Sequence, residues 1–422
     1  MKSGLIVVVI ALALVGTAGA QYAWQEMMSL PVTPSGKMVD DGGCLAAVPA
    51  ESAPRIWAAK GNGTNDAYVY DLDRNTWVTT SPVPPGIEGR SVGIGARAAF
   101  DGLDLIFMTK GHYTLGFYCY SLSGDTWRQL PDVPMGPSGM KVQQGADVVY
   151  ARQGGRGYMY LLKGNVNEFY RFDVEAQTWE ALPAAPVGAN LHYYDGSWLV
   201  YDGASTIYCH KAYYHEFFTF DIDSLKWNSR ALGPMPVPGS SGSHKTGDGG
   251  CAAWLDSSVY ALKGNLTDEF WHYSVYADYW TEKETMPSFG SSGKVKRVND
   301  GADIVSVDGR LYAFKGNSTN EFWRYDPHPT DVAEPGPRAL RREVIGPNPV
   351  TGGRVNLSLP GLQTGACRVV LCDAAGRILR SGLAVLRDGQ LAVDLTGVPA
   401  GAYVLSVSGP GVEIAEPLVV VK

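Results

Sequence analysis

The stretch Tyr70-Asp71-Leu72-Asp73-Arg74-Asn75-Thr76-Trp77 sets two large aromatics seven residues apart across a run of turn formers, as two strands joined by a tight turn would. The same spacing returns at Tyr120 and Trp127, Phe172 and Trp179, Phe220 and Trp227, and Tyr273 and Trp280. Each tryptophan follows a lysine by 16 or 17 residues, and that lysine closes an apolar run: Lys60, Lys110, Lys163, Lys211, Lys263 and, in a sixth copy, Lys315. Glycine comes next in every copy except the fourth, which has Ala212. A period near 50 residues marks stacked units that bury their apolar faces only against one another.

The sixth copy has no tryptophan after Tyr325. Trp77 to Pro84, Trp127 to Pro134, Trp179 to Pro186 and Trp280 to Pro287 all span seven residues, and so does Trp24 to Pro31. The N-terminal segment therefore reads as the outer strand of the last unit, closing the ring and removing its open seam. Unit six supplies the other strands: Ala302 to Val307, Leu311 to Lys315 and Glu321 to Tyr325, with Asp308-Gly309 as a hairpin turn.

This spacing resembles the kelch repeat. The resemblance covers residues 21 to about 327 and implies an all-β, six-bladed kelch-like β-propeller, with the paired aromatics on the third and fourth strands of each blade. One departure is Lys-Gly where kelch blades carry Gly-Gly. Composition agrees with the class: 45% of the 422 residues are hydrophobic, enough for a sizeable core, and 51 Gly, 26 Pro, 11 Trp and 23 Tyr favour many short strands. A net charge of -7 with 18% charged residues argues against a nucleic-acid partner.

Residues 1–20 read as a secretory signal, with Lys2, the apolar run Leu5 to Val15, and Ala18-Gly19-Ala20 placing cleavage after Ala20. The run falls short of the ~20 residues a membrane span needs, and no other stretch reaches it, so no transmembrane span is expected in the mature chain. Export makes disulfides a question for the six cysteines. Cys367 and Cys372 lie on one strand, on opposite faces and about 16 Å apart. Cys44 and Cys251 hold equivalent repeat positions, and Cys119 and Cys209 do not match each other. Packed free thiols are expected.

A Pro-rich linker over 328–343 precedes a tail, 344–422, that resembles the type A sorting domain of type IX secretion. The matching pieces are Pro347-Asn348-Pro349, then Asp373 and Gly376-Arg377, then Gly401-Ala402-Tyr403, and a closing Leu418 to Lys422. The resemblance implies a small C-terminal β-sandwich, and as partners the type IX secretion machinery of a Gram-negative, Bacteroidetes-like bacterium and a sortase that removes the tail. The protein would then be secreted or held on the outer cell surface.

No local motif marks a catalytic, metal or cofactor site. A carboxylate follows the repeated lysine in five copies, as Asp66, Glu168, Glu216, Glu269 and Glu321, so a cross-strand ion pair in each blade accounts for the lysine ring better than a ligand does. The fourth unit breaks the repeat and gathers Tyr193, Tyr194, Trp198, Tyr208, His210, Tyr213, Tyr214 and His215, aromatic surface on which sugar rings stack. The sequence points to a recognition module with a glycan or protein ligand. A carbohydrate-active enzyme with its site at the channel mouth, or a purely structural surface protein, are the alternatives.

Overall fold

The computed structural model describes residues 24–49, 53–327, 345–346, 350, 353–358, 365–373, 378–387, 390–409 and 412–421. The expected signal segment with Ala20, the expected linker 328–343, and Pro347, Asn348, Pro349 and Gly376 lie outside the described residues. The chain divides into two compact units, Met1–Val332 and Ala333–Lys422. Among the described residues no helix is long and apolar enough to cross a membrane.

The first unit is a β-propeller of six four-stranded antiparallel blades. Blade one runs from the inner strand Cys44–Val48 through Arg55–Ala59 and Ala67–Asp71 to the outer strand Thr76–Thr79. Blades two to five repeat that order from the inner strands Arg97–Phe100, Ala146–Gln153, Trp198–Tyr201 and Cys251–Leu255. Blade six takes Asp303–Val307, Arg310–Phe314 and Phe322–Tyr325, and its outer strand is Gln25–Met27, with Gln25 opposite Arg324 and Met27 opposite Phe322. Each inner strand packs on the next, and the sixth returns to the first.

The paired aromatics occupy the third and outer strands, Tyr70 opposite Trp77 and Phe172 opposite Trp179, as the repeat predicts. Their rings fill the wedge between blades: Trp179 lies on Phe117 of blade two at 4.9 Å, and Trp24 on Phe270 of blade five at 4.9 Å. The indole N–H finds a partner in all six blades. Trp77 donates to Met28 O (2.7 Å), Trp127 to Ser81 O (2.9 Å), Trp179 to Pro131 O (2.9 Å), Trp227 to Pro183 O (2.8 Å), Trp280 to Gly233 O (2.9 Å) and Trp24 to Glu284 O (3.0 Å). Each acceptor lies just past the outer strand of the preceding blade, so one tryptophan supplies both packing and a hydrogen bond to every seam. Cys44, Cys119, Cys209 and Cys251 are buried free thiols in these interfaces.

The second unit pairs a three-stranded sheet, Ile345–Gly346, Arg354–Ser358 and Gln390–Asp394, with a four-stranded one ordered Ile378–Leu386, Gly365–Asp373, Gly401–Gly409 and Val412–Val420. Alternating side chains, among them Val355, Leu357, Leu371, Leu391, Leu405, Val407 and Leu418, form its core, a β-sandwich. Tyr403 joins that core and donates to Pro399 O at 2.8 Å, and Gly401 opens the strand that carries it. Asp373 ends the adjacent strand, in register with Tyr403. Cys367 and Cys372 are buried.

Trp24 is 5% exposed and holds the blade that closes the ring. Trp24→Ala is expected to destabilise the propeller by about 3–5 kcal/mol, read as a lowered denaturation midpoint, with Trp24→Phe losing less because the ring contact survives. An unchanged midpoint for Trp24→Ala would show that the seam does not depend on this strand.

Candidate functional site

Every inner strand is entered through a corner whose second residue is glycine: Asp41-Gly42, Ile94-Gly95, Gln144-Gly145, Asp195-Gly196, Asp248-Gly249 and Asp300-Gly301. The reason is close approach. Gly42 has φ 80°, and a Cβ on it would lie 2.1 Å from Gly93 O of blade two; one on Gly301 would lie 2.2 Å from Asp40 O of blade one. The other four corners meet their neighbours in the same way, so the ring is drawn tight at this level. All six residues that precede these glycines line one cavity at the mouth of the central channel.

That cavity is about 630 Å³ and is completed by Tyr194, Tyr213 and Tyr214. Asp195, Asp248 and Asp300 each bring a carboxylate oxygen within 4.8 Å of the others, and Asp40, Asp41 and Asp300 do the same. Burial and the surrounding carboxylates push Asp300 up to about 7. Asp195 is raised by burial despite Arg97, and Asp41 by burial and by Asp40. Deeper in the channel Arg97 lies 3.6 Å from Asp147. Asp147 accepts from Leu199 N of blade four at 2.7 Å and Asp303 from Leu45 N of blade one at 2.7 Å, so these two acids also tie neighbouring blades together. Burial pushes Asp147 up to about 7.

Blade four puts its aromatics at the mouth through Tyr194, beside its corner, and through Tyr213 and Tyr214, just after Lys211. Tyr213 is held in the left-handed region at φ 65°, an unfavourable place for a ring-bearing residue, by donating its N–H to Thr246 O at 2.9 Å. Its ring lies over Gly247, where a Cβ would fall 2.9 Å from the Tyr213 Cζ, and its hydroxyl donates to Asp248 Oδ1 at 2.6 Å. Tyr194 stacks on Tyr214 at 6.3 Å and on His192 at 5.4 Å.

The structure divides the aromatic set of blade four. Tyr194, Tyr213 and Tyr214 face the cavity. Tyr193, Trp198, Tyr208 and His210 are buried, which removes them from a ligand's reach: Tyr193 donates to Pro186 O, and Trp198 stacks on His210 at 5.1 Å. Their pattern matches that of the corresponding core positions of other blades, a distinction the composition of the segment does not reveal. His215 is half-buried, with Nδ1 3.2 Å from Met235 O.

All six lysines of the ring are buried. Lys60, Lys163, Lys211, Lys263 and Lys315 pair with Asp66, Glu168, Glu216, Glu269 and Glu321 at 2.5–3.2 Å. Their ammonium groups also donate to backbone carbonyls, as Lys60 does to Val32 O at 3.0 Å and Lys263 to Val237 O at 2.8 Å. In blade two Gly116 stands at the carboxylate position, and Lys110 donates to Pro84 O; burial pulls this lysine down to about 8.

The mouth carboxylates were legible in one signal that the lysine period obscures. Asp-Gly recurs 15 to 19 residues before the lysine in blades one, four, five and six, and only blades two and three replace the acid, with Ile94 and Gln144.

Asp300 has an ordinary value of 3.8 and is raised to about 7 in the fold. The folded form thus holds a proton that the unfolded chain has released, so this residue's contribution to stability falls as pH rises from about 4 to 7 and stays lost above that window. Asp300→Asn is expected to raise Tm at pH 8 by about 2 °C and to change it little at pH 4, measured by calorimetry. An equal shift at both pH values would mean that neither burial nor the neighbouring carboxylates disfavour the charged form of Asp300.

No protein-family model matches the sequence, and no curated protein matches it. Among solved structures, one described as the structure of YjhT is similar over 69% of this chain and 95% of its own, at 14% identity and a TM-score of 0.48. A streptogramin B lyase structure is similar over 72% of this chain and 87% of its own, at 11% identity and a TM-score of 0.43. Both likenesses are of fold alone.

Proposed function

We propose that this chain is an exported recognition module of the kelch-like class, secreted or displayed on the outer cell surface, that binds a glycan at the mouth of the propeller channel. One observation carries the reading: a cavity of about 630 Å³ combines three tyrosine rings with four carboxylates, Asp41, Asp195, Asp248 and Asp300. Tyrosine faces cover the apolar faces of sugar rings, and carboxylates accept hydrogen bonds from their hydroxyls. The site also lies where the sixfold repeat breaks, while five of the six ring lysines are consumed by ion pairs within their own blades. The sandwich unit, whose sequence carries the sorting-domain resemblance, is proposed as the address read by type IX secretion and removed by its sortase.

A carbohydrate-active enzyme is the second reading, favoured by Asp300. A carboxyl held protonated to about pH 7, with ionisable carboxylates beside it, is the arrangement that general acid catalysis on a glycosidic oxygen requires. The two readings part on one measurement, since Asp300→Asn would abolish turnover of a bound oligosaccharide in an enzyme and has no turnover to abolish in a binding module.

A glycan-array screen of the full chain tests the first reading. Binding is expected, and the double change Tyr213→Ala, Tyr214→Ala is expected to remove it, a loss of at least about tenfold in affinity, with the fold intact by circular dichroism. Retained binding in that variant would move the site elsewhere. Deleting 344–422 is expected to stop surface delivery in the native host while the propeller still folds; a truncated chain that reaches the surface would overturn the sorting proposal.

A further inference from the structure

We propose that the ligand of the channel mouth carries a positively charged amine, so that the site selects amino sugars with free amino groups over neutral or N-acetylated ones; this rests on the glycan reading above. The argument is one of unbalanced charge around an aromatic-walled cavity. Asp41, Asp195, Asp248 and Asp300 line the mouth, Asp40 joins Asp41 and Asp300 within 4.8 Å, and Asp147 and Asp303 lie on the channel wall below. Against these seven acids, the cationic residue among the channel-lining side chains is Arg97, and it is already committed to Asp147 and to Ala96 O. The ring lysines do not help, because five are paired within their own blades and all six are buried.

A cleft lined by one sign of charge and walled by low-dielectric protein focuses its field on whatever enters. A neutral sugar leaves the repulsion between Asp195, Asp248 and Asp300 untouched. An ammonium group placed among their oxygens relieves it and gains charge-assisted hydrogen bonds from as many as three acceptors. Burial first, and then the neighbouring carboxylates, raise the proton affinity of Asp300, Asp195 and Asp41, so both causes favour a positive charge placed among them.

The tyrosines fix the kind of cation. A bare metal ion needs a shell of oxygens at about 2.3–2.6 Å, and the cavity is far larger than an ion. Tyr194, Tyr213 and Tyr214 give it an aromatic wall against which a carbon skeleton can lie, and a ring face next to a cation adds attraction of its own. An amine on a sugar ring matches both halves of the site.

The test is calorimetric titration of the full chain with two tetrasaccharides that differ only at nitrogen, the β-1,4 tetramer of glucosamine and its fully N-acetylated form. The free-amine tetramer is expected to bind at least about tenfold more tightly, and Asp248→Asn is expected to remove most of that preference. Equal or tighter binding of the N-acetylated tetramer overturns the inference and leaves the glycan reading standing. If neither tetramer binds while calcium chloride alone titrates into the site, the acids serve a metal and the inference fails. If the array finds no glycan at all, the glycan reading fails with it.

Discussion

The propeller depends on a single bond repeated six times, from the indole N–H of an outer-strand tryptophan to a carbonyl on the blade behind it. Its distances stay between 2.7 and 3.0 Å round the whole ring, although the residue accepting the bond changes from Met to Ser, Pro, Pro, Gly and Glu. A backbone acceptor makes this tolerance possible, since only the path of the chain has to repeat. The bond also forces each tryptophan into one orientation, with its ring against an aromatic of the neighbouring blade, so hydrogen bonding and burial reinforce one geometry.

With the seams fixed at the rim, the hub is set by the corner glycines. Backbones there come so close that no side chain fits between them, and the preceding residue can project only into the channel mouth. The acidic character of the mouth is therefore a choice left free by the fold. Where a blade has Ile94 or Gln144 the same backbone carries an uncharged side chain, and the corner is built no differently.

The fold was legible because its determinants are large and periodic. Tryptophans, their aromatic partners and the lysines recur at fixed intervals, and the displaced Trp24 betrayed the closure of the ring. The site was only partly legible. Tyr213 and Tyr214 stood out as breaks in the repeat, but nothing in the segment distinguished them from Tyr193, which the loop before the inner strand buries, or Tyr208, which the pleat turns into the core. The acids escaped notice because a residue's convergence on an axis depends on how blades meet, and Asp-Gly is so common a turn that four copies attract no attention.

The closing strand has a consequence for the order in which the molecule can form. Gln25–Met27 finds its partner only in Phe322–Tyr325, 295 residues later between Met27 and Phe322. At ribosomal rates of ~5–20 residues per second, roughly 15–60 s separate the making of the two strands, and throughout that interval the first must remain unpaired. Non-local pairings of this kind form late and slowly. The strand suits the wait: it is three residues long, contains Glu26, and offers a passing strand edge very little to bind. The ring's last contact is thus made by the segment that has been available longest, and a chain interrupted before Phe322 leaves five blades with no means of closing.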